Sequence, residues 1–520
     1  MITSLLKRWL NPGGLHLDYH KEESTQQPVR NLPLPAELVI PLQQHMGQKA
    51  SLCVRVGDYV HKGQALTKPD GQMQVPVHAS TSGTVTAIEE HPVAHPSGLN
   101  DLCIILTPDG KDDWGDARMT PYLDPAQEKP ETLRQRISTA GIVGLGGAVF
   151  PAAIKLAAHT PITTLIINGA ECEPYITCDD MLMREKPDEI IAGIQIMLHM
   201  LAPQQCLVGI EDNKPQALAA MQTAAEKAGD RRIQIVSVPT LYPTGSEKQL
   251  IKILTGKEVP SGGRPADIGM VCHNAATARA IYRAVVLGEP LLERYVTVTG
   301  EGVAHPCNLN VPLGTSVEYL LNQAGGCTPT ADHLLMGGPM MGITLQSGQV
   351  PVVKATNCIL VKTAPEQQQP VMPCIRCGRC AESCPANLLP QQLYWHARAR
   401  EFDKTEHYHL FDCIECGCCA YVCPSHIPLV DYYRFAKAEI RTQRATHAQA
   451  EHARNRHEFR LQRLERAKQE KAEKLAKHRE QAAKTGADDA KKAAIQAALA
   501  RAKAKKAQAA AATTTGEPTE

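Results

Sequence analysis

Two runs decide how this chain is read: CIRCGRCAESCP at residues 374–385 and CIECGCCAYVCP at residues 413–424. Each is a C-x2-C-x2-C-x3-C-P run, a spacing that wraps three thiolates round one iron–sulfur cube and sends the fourth to a second cube. Two 4Fe-4S clusters follow, one on Cys374, Cys377, Cys380 and Cys423, the other on Cys413, Cys416, Cys419 and Cys384. Gly378 and Gly417 leave room for the backbone to curl round a cluster, and Pro385 and Pro424 turn the chain away after the crossing ligand. The alternative is a pair of structural zinc sites, but these use separated Cys pairs, not four-cysteine runs ending in Cys-Pro. Cys418 falls out of the ligand register and is read as a non-ligand. Two neighbouring cubes make a short electron wire.

The rest of the chain says what the wire serves. With 520 residues, 43% of them hydrophobic, there is material for three or four separate cores. Eighteen cysteines would suit a disulfide-rich secreted protein, but there is no secretory apolar segment and cluster ligands need reduced thiolates, so the expected compartment is the cytoplasm. No run approaches the roughly 18–20 apolar residues that cross a bilayer. The first ten residues, MITSLLKRWL, read as a short frayed helix at the head of an N-terminal segment 1–30. The net charge of +1 hides an asymmetry: residues 451–510 hold 17 Lys and Arg against 8 Asp and Glu, leaving an acidic body and a basic tail.

Residues 31–115 alternate short apolar stretches with turn signals and read as an all-β unit. GDYVHKGQAL (57–66) and STSGTV (80–85) resemble the two halves of a biotinyl/lipoyl-type barrel-sandwich domain, through Gly57, Asp58, Val60, Gly63, Gln64, Leu66, Ser82, Gly83 and Val85. The hairpin where that family carries its modified lysine reads GQMQ, and Lys68 lies early, beside Pro69, so the domain is read as a scaffold. His78 is read as a surface-loop histidine.

From about 130 the period becomes helical in ETLRQRISTAG; a glycine loop, GLGGAVFP (144–151), then leads into a helix, PAAIKLAAH, and an apolar strand, TTLIIN (163–168). A glycine loop at a helix start gathers unpaired N–H groups suited to a phosphate. Gly144, Gly146, Gly147, Ala148, Phe150, Pro151 and Lys155, with Asn168, Glu171, Glu173 and Pro174 of the next loop, resemble the NADH- and FMN-binding subunit of respiratory complex I and related hydrogenase flavoproteins. YPTGSEKQL (242–250), with Gly245 and Glu247, and HNAAT (273–277), with Asn274, extend the resemblance over 125–290. It implies a non-covalent FMN held by Gly144, Gly146, Gly147, Lys155, Asn168, Glu171, Glu173, Gly245, Glu247 and Asn274, with NADH as electron donor or acceptor. Leu145, Ala170 and Ser246 stand where the family has charged residues, which weakens the nucleotide more than the flavin.

Residues 295–350 read as short strands round one helix and are similar to the soluble-ligand-binding β-grasp domain that follows the flavin domain in complex I. Gly337, Gly338, Pro339 and Met340 either bring backbone close to a neighbouring domain or, more simply, form a turn, and Cys307, Cys327 and Cys358 are read as buried small residues. The cluster module spans 365–435. The tail, 436–520, is rich in Ala, Lys, Glu and Arg and reads as a solvated helix, a coiled-coil arm or a partly disordered tether; its mixed charges do not suggest nucleic acid.

The fold class is thus multidomain α/β and α+β. Barrel-sandwich, flavin, β-grasp and two-cluster ferredoxin modules in this order resemble the C subunits of Rnf (Rsx) ion-translocating electron transport complexes. That resemblance implies a peripheral subunit on the cytoplasmic face of a bacterial inner membrane. Its partners would be the integral membrane and other subunits of the same complex, NADH, and ferredoxin-type carriers. No catalytic side chain is assigned. The competing readings are a soluble NADH-linked flavin iron–sulfur oxidoreductase and an electron-transfer adaptor without a working flavin site.

Overall fold

A computed structural model describes residues 12–71, 73–157, 160–364, 369–484 and 486–512. The expected helix at residues 1–10, the last two residues of PAAIKLAAH and the final eight residues of the tail lie outside the described residues. The chain divides into two units, Met1–Lys437 and Ala438–Glu520.

In the first unit, the strands Leu38–Pro41, Asn100–Pro108, Gly83–Pro92 and Tyr59–Val60 form an antiparallel sheet in that order. Alternation puts Leu38, Ile40, Val60, Val85, Ile104 and Leu106 into one core. His78 is not on the surface as its loop position suggested. It is buried against Gly141, and burial, helped by the nearby Lys354 ammonium, pushes its imidazole down to about 3. The buried Lys354 ammonium donates to the carbonyls of Pro76 (3.0 Å) and Gly141 (2.8 Å), pinning the barrel to the neighbouring domain.

The next domain carries four parallel strands ordered Ile233–Val238, Gln205–Glu211, Thr164–Gly169 and Met270–Asn274. Leu165, Ile166 and Ile167 have no exposure, as expected for a strand covered on both faces. Each such side chain contributes about 1.5–3 kcal/mol by leaving water. The helices Pro187–Leu201 and Ala275–Tyr282 pack so closely that a Cβ on Gly193 would stand 1.8 Å from the Ala278 carbonyl oxygen. Only glycine fits there.

A six-stranded sheet follows, ordered Arg30–Asn31, Cys307–Pro312, Glu293–Thr299, Cys358–Thr363, Ala331–Met336 and Ile343–Thr344, with the helix Val317–Gln323. It extends past residue 350 and takes its edge strand from the N-terminal segment. Cys307 and Cys358 are buried, but Cys327 is exposed, because the Gly325–Gly326 turn carries it out of the core.

The cysteine module repeats its backbone at an interval of 39 residues. Arg376 and Glu415 have φ of 59° and 58°, Gly378 and Gly417 both 82°, and Asn387 and His426 52° and 50°. Such left-handed conformations are costly for side-chain-bearing residues, so their recurrence marks two copies of one ligand-wrapping turn. Short helices Arg379–Glu382 and Cys418–Tyr421 follow the two glycines.

The second unit, described by itself, is helical over its described residues and almost wholly exposed beyond the buried Ile440, with pairs such as Lys484–Glu480 (2.9 Å) on its surface. Among the described residues no helix is long and apolar enough to cross a membrane.

Candidate functional site

The strand order of the parallel sheet reverses between Thr164–Gly169 and Met270–Asn274: the chain steps outward through two strands, then returns to the other side of the first. A reversal of this kind opens a crevice at the carboxyl ends of the strands, where such sheets hold nucleotides. Asn168 and Asn274 are register partners at that edge. Asn168 Nδ2 donates to the Gly245 carbonyl (2.7 Å). Asn274 Oδ1 caps its helix by accepting from Ala276 N–H (2.8 Å), while its amide donates to Asp179.

The glycine loop lies over the same edge. A Cβ on Gly146 would stand 3.4 Å from that of Asn274, and Leu145 N–H donates to Thr277 Oγ1 at 2.9 Å. Gly144 N–H closes the loop on the Phe150 carbonyl (2.8 Å). Gly146, Gly147 and Ala148 are exposed, Gly147 has a φ of 99°, and among the described residues their N–H groups have no acceptor. Free N–H groups on a concave loop at a switch point fit the phosphate of a flavin mononucleotide. All four motif stretches therefore meet at one edge.

Other expected site residues are engaged by the protein. Lys155 Nζ sits 2.7 Å from Glu247 Oε1 and 2.8 Å from the Cys272 carbonyl, so the cation beside the loop is already paired. Glu171 accepts from the N–H groups of Asp179 (2.7 Å) and Asp180 (3.1 Å), at the start of the helix Cys178–Glu185. Glu173 Oε1 accepts from Met340 N–H (2.7 Å) and Met341 N–H (2.9 Å). Gly337–Met340 is thus more than a turn: a Cβ on Gly338 would fall 2.0 Å from Glu173 Cγ, so glycine there lets two domains clasp.

Several residues of the site have no sequence signal. Lys21 is buried, and its ammonium donates to the carbonyls of Glu171 (2.8 Å), Glu173 (3.0 Å) and Ile176 (2.7 Å). Lys214 and Glu211 pair at 2.7 Å with no side-chain exposure. Burial, and then the Glu171 carboxylate, push the Asp179 carboxyl up to about 7. In the unfolded chain that carboxyl titrates near 4, so between about pH 4 and 7 the folded chain binds more protons and stability falls as pH rises. Asp179→Asn is expected to flatten that fall. Melting midpoints at mildly acid and neutral pH would then lie closer together than in the parent, and an unchanged gap would count against Asp179 as the source.

In the cysteine module, Cys384, Cys413, Cys416 and Cys419 line one cavity, closed by Leu388, Leu393, Val430 and Tyr433. The side chain from the first motif joins four from the second, of which Cys418 is the one out of ligand register. Burial pushes the Cys413 thiol up to about 11, against the pull of Lys437, whose ammonium lies 2.6 Å from the Cys413 carbonyl. With four of its five thiols in ligand register, this apolar cavity suits a cluster whose iron ions offset the thiolate charge. Cys418 has no exposure and hydrogen-bonds Cys416, which lowers the Cys416 thiol.

Residues 137–283 match the family model of the Nuo51 FMN-binding domain, 9–111 the RnfC barrel sandwich hybrid domain, 295–344 the SLBB domain and 373–427 the 4Fe-4S dicluster domain. The C subunit of the ion-translocating oxidoreductase complex of Salmonella gallinarum is 51% identical over 507 residues, covering 97% of this chain and 74% of that protein. The chain belongs to the family of these C subunits. Those of Pectobacterium carotovorum and Vibrio cholerae are also 51% identical, over 96% of this chain but 66% and 65% of their own length. The chain thus spans about two thirds of those relatives. A chain of the crystal structure of an air-oxidised NAD+-reducing [NiFe]-hydrogenase aligns at 21% identity and a TM-score of 0.44, covering 61% of this chain and 63% of its own. The family-model matches at 137–283 and 373–427 show that an FMN-binding domain and a 4Fe-4S dicluster domain are both present.

Proposed function

We propose that this chain is the peripheral electron-input subunit of a membrane-bound ion-translocating oxidoreductase, facing the cytoplasm. It exchanges electrons between NADH and two 4Fe-4S clusters, which connect it to the other subunits and to ferredoxin-type carriers. The carrying observation is that four nucleotide-motif loops converge on the switch point of a domain packed in one unit with the cysteine module. A bound flavin would exchange electron pairs with a nicotinamide and single electrons with clusters. Gly146, Gly147 and Ala148 would bind its phosphate through backbone N–H groups, while Asn168 and Asn274 fix the loops around it. Cys374, Cys377, Cys380 and Cys423 would hold one cluster and Cys384, Cys413, Cys416 and Cys419 the other. The sheet spanning 293–363 is read as a β-grasp platform and the basic tail as a tether to acidic surfaces.

Anaerobic purification followed by flavin and iron assays, then addition of NADH, tests this reading. Bleaching of the flavin by NADH, followed by reduction of the clusters, is expected. Clusters without flavin would make the chain an adaptor, and a flavin blind to NADH would remove the nicotinamide from the scheme.

Lys155→Ala is expected to weaken FMN binding by about tenfold or more, the worth of a charged hydrogen bond, because it strands the Glu247 carboxylate near an anionic ligand. Glu247→Gln, which removes that negative charge, is expected to bind FMN at least as well as the parent. Fluorescence titration of the flavin-stripped chain measures both, and equal losses in the two variants would place the pair away from the phosphate.

A further inference from the structure

We propose that the Cys384, Cys413, Cys416 and Cys419 set is the station next to the flavin and the Cys374, Cys377, Cys380 and Cys423 set the outer one, with Tyr242 as the positioning residue joining flavin loop to inner station. This rests on the function proposed above and adds an order and a residue to it.

Several groups among the described residues cross from the flavin domain and its neighbour to the cysteine module: Ser261 and Lys248 reach Asp412, the residue before Cys413, and three more lie closer to the thiols. Tyr242 is 1% exposed, and its hydroxyl donates to the Cys416 carbonyl at 2.6 Å. Its ring packs in one apolar cluster with Cys172, Cys416 and Cys418. Gln249 Nε2 donates to the carbonyl of Pro385, the residue after Cys384, at 3.2 Å. Met340, held by the Glu173 carboxylate, places its carbonyl oxygen 3.0 Å from where a Cβ on Gly417 would stand. All three land beside the inner set. In the inner set Cys384, Cys416 and Cys419 are buried and Cys413 is half-buried; in the outer set Cys377 is exposed and Cys374, Cys380 and Cys423 are half-buried.

The other end of the same turn reaches the crevice. Thr244 N–H donates to the Leu241 carbonyl (2.7 Å) and Ser246 N–H to that of Pro243 (3.0 Å), so Tyr242 and Gly245 share one compact turn. Gly245 takes the Asn168 amide on its carbonyl and gives its N–H to Cys172 Sγ at 3.2 Å. The wall of the flavin crevice and the backbone of a cluster-wrapping loop are thus linked through a single turn. Each transfer would move one electron, and a reduced flavin would return to the oxidised form by passing on two electrons in succession and releasing its ring-nitrogen protons to solvent. Because one-electron transfer weakens steeply with separation, the cysteine set clamped to the flavin loop receives the electron first.

Two ligand variants of the full chain test the order, with electrons delivered to bound flavin by illumination in the presence of EDTA. With Cys377→Ser, the inner cluster is expected to be reduced as in the parent. With Cys416→Ser, the surviving outer cluster is expected to stay oxidised under illumination, yet become reduced by dithionite. The reverse pattern overturns the order. Tyr242→Phe keeps the ring and drops the hydroxyl; flavin and iron contents are expected to stay whole, while flavin-to-cluster transfer slows measurably as the turn loosens its hold on the Cys416 backbone. Its low-temperature EPR change should fall on the inner signal alone. An unchanged rate and spectrum, or a change confined to the outer signal, removes Tyr242 from the route. A parent chain that binds no flavin would instead defeat the function on which the order rests.

Discussion

Cys384→Ser is expected to abolish the cluster of the second motif, about thirty residues downstream, and spare the one beside it in sequence. Cys384 shares its cavity with Cys413, Cys416 and Cys419, and its own neighbours Cys374, Cys377 and Cys380 take no part in that lining. A serine oxygen is a poor substitute for a soft thiolate on iron. About half of the iron should be lost, that is one four-iron cluster of two. Iron assay and low-temperature EPR measure this. A variant whose second-motif signal survived while the first vanished would show that each run closes on its own cluster.

Lys214→Met is expected to cost about 3–5 kcal/mol, because it leaves the Glu211 carboxylate buried and unpaired. Burial already pushes that carboxyl up, opposed by Lys214 and Lys21. Adding Glu211→Gln should restore much of the loss, since the uncompensated charge is gone. Lys227→Met supplies the contrast: its pair with Asp188 is similar in length, 3.0 Å, but 71% and 64% exposed, so solvent screening leaves it about 0–1 kcal/mol. Melting midpoints should separate the two lysines widely. Equal shifts would mean that the buried pair is better solvated than its surroundings imply.

The parts of this molecule that sequence made legible are those whose chemistry is local. Cysteine spacing carries its own geometry, and the left-handed turns repeated at Arg376 and Glu415 are what that spacing forces on the backbone. The glycine loop and the apolar strand after it announce a turn and a buried strand for reasons internal to each segment. What the sequence hid are contacts between distant segments. Lys21 meets Glu171 across 150 positions, and Tyr242 meets Cys416 across 174. Neither has a periodic neighbour or a motif of its own. His78 shows the same limit, since a loop residue looks exposed until another domain covers it. Glu171, Glu173 and Lys155 were found by resemblance to flavin-binding loops, yet here much of their hydrogen bonding goes to the protein itself.

The N-terminal segment has a consequence for how freely this chain's parts can be exchanged. Leu15 bridges to Tyr242, Gly14 N–H donates to the Ser383 carbonyl, Lys21 fills three carbonyls of the flavin domain, and Arg30–Asn31 adds an edge to the following sheet. One stretch of about twenty residues is therefore stitched through three modules that sequence order places hundreds of positions away. A flavin domain excised at 125–290 would expose the carbonyls of Glu171, Glu173 and Ile176 where an ammonium had been, and a transplanted cysteine module would lose its grip at Ser383. Recombination between relatives at domain boundaries would face the same obstacle: a graft that takes a module without its matching leader breaks the lacing, so the leader and the modules it threads have to be inherited together.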